Sequence, residues 1–231
     1  LPLLVLDRQG WSNLCQLISR ARTEKERGLP RTDLATLATY STGLLALTGP
    51  FEGALPHHLT CDDERTATQF LGTLKDIFEE NLAVQVWRHH LAWEEKLITS
   101  LIELAKANDV PWVPTNDVRY AMPADRRVLD VMTCLKHQVT LDRAGTRLLP
   151  NNQWFLKGPT QMQALWAGHD EALRRTVEFA ERVTSSLDQL RPTLPSFQLG
   201  DDERVLRQKV WEGATKRYGR HFTEKHQSQI S

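Results

Sequence analysis

The sequence predicts an α/β fold, with crossover helices on a parallel sheet, that passes into a mainly helical extension. Between residues 1 and 113, short aliphatic runs alternate with stretches of helical spacing in the order strand, helix, strand, helix, strand, helix, strand. After Pro123 the strand signal nearly vanishes and helical spacing dominates. A content of 40% hydrophobic and 25% charged residues over 231 positions fits a packed core and excludes collagen-like, disordered and low-complexity classes.

Residues 3–6 form a short aliphatic run closed by the polar turn 7–10, the pattern of a buried strand. Trp11, Leu14, Cys15 and Ile18 then recur at helical spacing until the charged stretch 20–27, where Gly28 and Pro30 break the pattern. Asp33 is placed to cap a short helix ending near Tyr40. Residues 43–48 read as a second strand, closed by Gly49 and Pro50, and His57, His58 and Cys61 read as a loop with no metal-ligand partner at useful spacing. Asp62 or Asp63 caps a long amphipathic helix whose apolar face is Ala67, Phe70, Leu71, Leu74, Ile77 and Phe78. Residues 82–87 read as a third strand. Leu97, Ile98, Leu101, Ile102, Leu104 and Ala105 form the stripe of the next helix, and residues 110–113 read as a fourth strand. Further helices are predicted over 126–135, 161–166, 171–183 and 204–218, with a linker at Pro192 and Pro195. The divisions fall at 1–122, 123–191 and 192–231, and no internal repeat is present.

Lys plus Arg number 29 and Asp plus Glu number 29, so the chain as a whole has no field with which to attract nucleic acid or an anionic membrane. The longest purely aliphatic run is 44–47, which predicts no membrane anchor or signal peptide. Three scattered cysteines without a CxxC pair argue against a disulfide framework and a cysteine zinc site and fit a reducing cytoplasm. A start on Leu1, directly in an apolar run, reads as a piece of something longer.

In parallel α/β folds the working residues lie in loops that leave the C-terminal ends of strands. Three loops qualify: Gly49-Pro50-Phe51-Glu52, Arg88-His89-His90, and Thr115-Asn116-Asp117-Val118-Arg119-Tyr120. A closed barrel would bring all three to one rim. Neighbouring residues leaving a strand point in opposite directions, so one of His89 and His90 at most is a metal ligand; the alternative is an ordinary hydrogen-bonded loop histidine. Asp117 just past a strand end suits a hard cation or, equally, a turn in which it caps backbone amides. Arg119 repels a cation and suits a phosphate, or else a surface ion pair. Phosphate-loop, dinucleotide and hydrolase-elbow motifs are absent. The mildly basic stretch 204–226 is either a solvated helix face or a contact for a nucleic-acid backbone.

The run Gly10 to Ile18, the run Gly43 to Gly49, Arg88-His89, and above all Thr115-Asn116-Asp117-Val118-Arg119-Tyr120 followed by Leu129-Asp130-Val131-Met132-Thr133-Cys134 resemble the polymerase-and-histidinol-phosphatase (PHP) domain of bacterial C-family DNA polymerases, the DNA polymerase III alpha subunits. Phe155-Leu156-Lys157 with Met162, and Trp211-Glu212-Gly213-Ala214 with Arg217-Tyr218-Gly219, resemble the stretch leading into the palm. The Arg119 form of the turn, Thr140-Leu141-Asp142-Arg143-Ala144-Gly145, and Asn151 or Asn152 ahead of Phe155 resemble the error-prone, damage-inducible branch most.

That resemblance implies a partial PHP-type (β/α)7 barrel over 1–122, its helical end and connection over 123–191, and the start of the palm over 192–231. It implies a parent that is a DNA-directed DNA polymerase. Two magnesium ions would be held by palm aspartates that are not in this stretch. Its partners would be DNA and other subunits of a replication or mutagenesis complex, with no membrane and a cytoplasmic location. The family's PHP zinc or manganese site uses an Asp and a His in the Thr-Asn-Asp-Val-His-Tyr turn; here Asp117 is kept and Arg119 replaces the histidine. A family cysteine position is Pro50, and the His-x-His ligands would lie upstream of Leu1. Asp117 is thus the one remnant ligand, and His89, Asn116 and Arg119 are rim residues without an assigned metal role. No catalytic residue is expected here, no DNA-binding residue is assigned, and the metal site is expected to be lost, leaving a degenerate domain with a scaffolding role. The alternatives are a replicative alpha subunit and a metal-dependent PHP phosphoesterase with Asp117 and His89 as residual ligands.

Overall fold

The computed structural model describes residues 1–23, 30–184 and 202–230. Those up to Thr184 form one compact unit and those from Asp202 onward a second. The first unit is built on a four-stranded sheet in the order β1 (Leu3–Val5), β2 (Leu44–Leu47), β3 (Leu82–Trp87) and β4 (Trp112–Thr115).

β2, β3 and β4 are parallel, with Ala46 opposite Leu82 and Val84 opposite Trp112. β1 departs from the expected parallel sheet: it runs antiparallel to β2, with Leu3 opposite Ala46 and Val5 opposite Leu44. Its connection holds two helices, α1 (Arg8–Thr23) and α2 (Leu34–Thr39), and the chain returns to the sheet end it left. A single crossover helix would have carried it to the opposite end. The sheet is open among the described residues.

Local chemistry explains most elements. Asp7 Oδ1 accepts from the Gly10 amide at 2.8 Å and starts α1. Gly10 and Gly43 are in backbone contact, so a Cβ on Gly10 would lie 1.8 Å from the Gly43 carbonyl oxygen. Asp33 and Asp63 cap α2 and α4 (Glu64–Phe78) through the amides of Thr36 and Thr66, at 2.7 and 3.1 Å. The segment around His57 and His58 is helical, α3 (Ala54–Thr60), and not the loop expected. Gly53 precedes it in extended backbone and Pro56 sits in its first turn, where a missing N–H costs nothing. β4 begins at Trp112, two residues later than expected, because the Val110 amide bonds to the Ala105 carbonyl at the end of α5 (Glu94–Ala107).

Successive strand residues face opposite sides of the sheet. Leu44, Ala46, Leu82, Val84, Val86 and Trp112 pack with residues of α1, α4 and α5, including Leu17, Leu71, Leu74 and Leu101. Leu45, Ala83 and Val113 face the other way and meet Phe179 of α9 (Asp170–Glu181). The chain just after α9 is tied to the chain just after β1, where the Thr184 amide donates to the Leu6 carbonyl at 2.9 Å. Between β4 and α9 lie α6 (Arg126–His137), α7 (Leu141–Ala144) and α8 (Pro159–Leu165). At the other end of β1, the Pro2 carbonyl accepts from the Leu47 amide, and the Leu1 nitrogen lies beside Gly49.

The second unit contains α10 (Asp202–Tyr218) and α11 (Glu224–Ile230), of which only the first was expected. The expected break at Pro192 and Pro195 lies outside the described residues. No helix among the described residues is long and apolar enough to cross a membrane.

Candidate functional site

The loops after β2, β3 and β4 share a cavity of about 290 Å³, lined among others by Phe51, His89, Asp117, Arg119 and Trp154. The sequence therefore identified loops that do come together. What the side chains do there differs from what a metal site needs.

His89 is fully buried and both ring nitrogens are engaged. Nδ1 lies 2.9 Å from Glu94 Oε1 and Nε2 lies 3.1 Å from the Asn116 carbonyl oxygen. A carbonyl oxygen only accepts, so the Asn116 contact calls for a donor at Nε2, while Nδ1 is turned onto the Glu94 carboxylate. The ring also stacks on Trp154, centroids 3.8 Å apart and 13° from parallel. Both nitrogens are thus taken by protein partners, and neither is free to bind a metal. His90, at φ +60°, is exposed.

Glu94 opens α5 and is as buried as its partner. Its Oε2 accepts from the amides of His89 and Leu91 at 2.7 and 3.1 Å. Burial alone would raise this carboxyl, but the hydrogen bonds from His89 and Leu91 outweigh it and hold the group below the usual glutamate range.

Asn116 leaves β4 and binds the segment that follows α7. Its Nδ2 donates to the carbonyls of Gln153 and Phe155 at 2.8 and 2.7 Å, and its Oδ1 accepts from Lys157 Nζ at 2.9 Å. The Arg119 amide donates to Trp154 and the Leu156 amide to Tyr120, so residues 153–157 run alongside the turn. Lys157 lies over the Phe155 ring at 4.4 Å. Burial lowers its amine to about 8, against an upward pull from Glu94.

Asp117, at φ +40°, does not face a free cation position: Arg119 Nη2 lies 2.8 Å from its Oδ2 and Nε lies 3.2 Å away. The guanidinium therefore sits on the carboxylate that a metal would use. Pro50 contributes a carbonyl to the Gly53 turn and no donor side chain. Among the described residues no group of three or more His, Cys, Asp or Glu side chains is arranged to hold a metal ion.

Sequence reasoning named His89, Asn116, Asp117 and Arg119 but missed Glu94, Trp154 and the Asn151 amide that donates to the His89 carbonyl at 2.7 Å. An acid in the first turn of the helix after a strand-end histidine was the one available signal for Glu94. Trp154 and Asn151 are brought in by tertiary packing, which no local pattern encodes.

A sheet with its strand-end loops gathered at one cavity defines an α/β domain of the kind that carries sites at strand termini. Residues 1–89 match the PHP domain family. The chain is 32% identical over 204 residues to an error-prone DNA polymerase of Anaeromyxobacter dehalogenans, covering 84% of this chain and 16% of that protein. It is 30% identical over 228 residues to an error-prone DNA polymerase of Bradyrhizobium diazoefficiens, covering 95% and 19%. It is 31% identical over 222 residues to the DNA polymerase III subunit alpha of Pseudomonas aeruginosa, covering 94% and 19%. The chain thus carries PHP-domain sequence and is a relative of the bacterial error-prone and polymerase III alpha enzymes, as its motifs indicated. It spans less than a fifth of the length of these relatives.

Proposed function

We propose that the chain is part of an error-prone DNA polymerase of the bacterial C family, and that its rim is a support and not a phosphoesterase centre. The observation that carries the second half is the Arg119 guanidinium seated on the Asp117 carboxylate, with His89 already spent on Glu94 and Asn116. Those donors do not fit a zinc or manganese site, which needs neutral imidazoles and free carboxylates acting together. In this reading the sheet is one part of a (β/α)7 barrel, residues 123–191 end the domain and connect it, and residues 192–231 begin the palm. The parent extends primers on DNA in the cytoplasm with magnesium held by palm aspartates outside this stretch, alongside other subunits of a mutagenesis complex.

The test has two arms. The 231-residue chain, purified and supplied with Mn²⁺ or Zn²⁺, is expected to retain no stoichiometric metal, to leave p-nitrophenyl phosphate intact and to extend no primer. Near-stoichiometric metal that is lost in Asp117→Ala would favour the phosphoesterase, and with hydrolysis of p-nitrophenyl phosphate it would overturn the support role. The full-length polymerase, with Mg²⁺, is expected to extend primers past an abasic template position. A replicative alpha subunit is the second reading, favoured by the similar identity to the P. aeruginosa enzyme; extension that stops at the lesion would select it.

A further inference from the structure

The second unit carries a charge concentration that the balanced composition of the whole chain conceals. α10 ends in Lys216, Arg217 and Tyr218, the chain turns through Gly219, Arg220 and His221, and α11 has Lys225 in its first turn. Over residues 216–226 these four cations face one acid, Glu224. All four are exposed, and among the described residues none is in an ion pair. Glu212, one turn before Lys216, accepts instead from Gln208 at 2.8 Å.

The turn is held in shape by its aromatic residues. Tyr218 stacks on His226 with centroids 4.6 Å apart and 16° between planes, and Trp211 meets Phe222 edge-on at 5.5 Å. These contacts clamp the end of α10 to α11, so the backbone that carries the cations is held in one frame. Tyr218 remains 40% exposed in the middle of them. Unpaired like charges held together repel one another and are offset by an anion. Exposed neighbours of the cluster are Thr215, Thr223 and Ser228, polar residues unsuited to lying in a lipid surface.

We propose that this turn binds the backbone of single-stranded DNA, with Lys216, Arg217, Arg220 and Lys225 on phosphates and Tyr218 offering a ring to a base. Cations that track a backbone beside an exposed aromatic are the ordinary means of holding a single strand. The choice of DNA as the strand rests on the polymerase reading above; the site itself rests on charge and geometry.

The experiment is fluorescence anisotropy of a labelled twenty-nucleotide oligothymidylate with the full 231-residue chain. With four phosphate contacts, affinity should fall about 50-fold between 50 and 200 mM salt. Arg217→Glu with Arg220→Glu should weaken binding at least about tenfold at 50 mM salt and flatten the salt dependence. Arg217→Gln with Arg220→Gln, which removes charge without reversing it, should fall between, and circular dichroism should show the same helix content in all. Arg127→Glu with Lys136→Glu, an exposed pair in the first unit, should change nothing. Unchanged affinity in the Arg217 and Arg220 variants, an equal loss in the control pair, or capture by phosphatidylserine vesicles without oligonucleotide binding would each overturn the inference. Primer extension by the full-length enzyme that is indifferent to the double reversal overturns the inference while leaving the polymerase reading intact.

Discussion

His89 and Glu94 hold each other across the turn from β3 to α5: one carboxylate oxygen meets the imidazole Nδ1 at 2.9 Å and the other takes the backbone amide of the same histidine at 2.7 Å. A single acid therefore fixes both the ring and the peptide that carries it. The arrangement converts a residue type associated with metal binding into a structural pin, and it sets the first expectation.

Glu94→Gln or His89→Ala leaves a buried partner without its complement, and the loss should be about 3–5 kcal/mol in urea unfolding at pH 7. Glu94 titrates below its ordinary range in the folded state. Its contribution is therefore complete above the unfolded carboxyl range and disappears as pH falls through the depressed folded value. Wild type should lose stability on acidification through this window more steeply than Glu94→Gln.

Asn116→Ala removes three side-chain bonds, to Gln153, Phe155 and Lys157, at once. The cost should be about 1–3 kcal/mol, from carbonyls left without donors. Tryptophan fluorescence should report it as well, because residues 153–157 carry the ring that stacks on His89.

Lys157 shifts in the same direction as Glu94 but for a different reason, because here burial disfavours the charged form. Its folded amine titrates at about 8 and an unfolded lysine near 10.5, so between these values the unfolded chain binds more protons. Stability should rise as pH climbs from about 8 toward 10.5, and Lys157→Met should lack that rise when the two unfolding free energies are compared at each pH.

Gly10→Ala tests the contact between α1 and β2. A Cβ there meets backbone, not a movable side chain, and Gly43 has a positive φ that resists adjustment. Destabilisation of about 1–3 kcal/mol or more is expected in thermal or urea unfolding.

Much of this fold was legible because local rules governed it. The caps at Asp33 and Asp63 and the apolar face of α4 follow from spacing alone. β3 was found from its alternating pattern, although the strand turns out to be buried on both faces. The direction of β1 was missed although both helices before β2 were expected, since a strand of three residues carries no orientation signal of its own. α3 was hidden by Pro56, which breaks a helix in its interior but is tolerated in its first turn. At the site, loop position predicted that residues 51, 89, 117 and 119 would meet, while their pairing depended on Glu94 and Trp154, which reach them only in three dimensions.

The antiparallel course of β1 has a practical consequence. Because β1 ends where β2 begins, its first residues, and not its last, stand at the level of Gly49 and the loop that follows. Whatever is joined ahead of Leu1 therefore leaves the sheet on the side of that loop, whose Phe51 and Glu52 line the cavity.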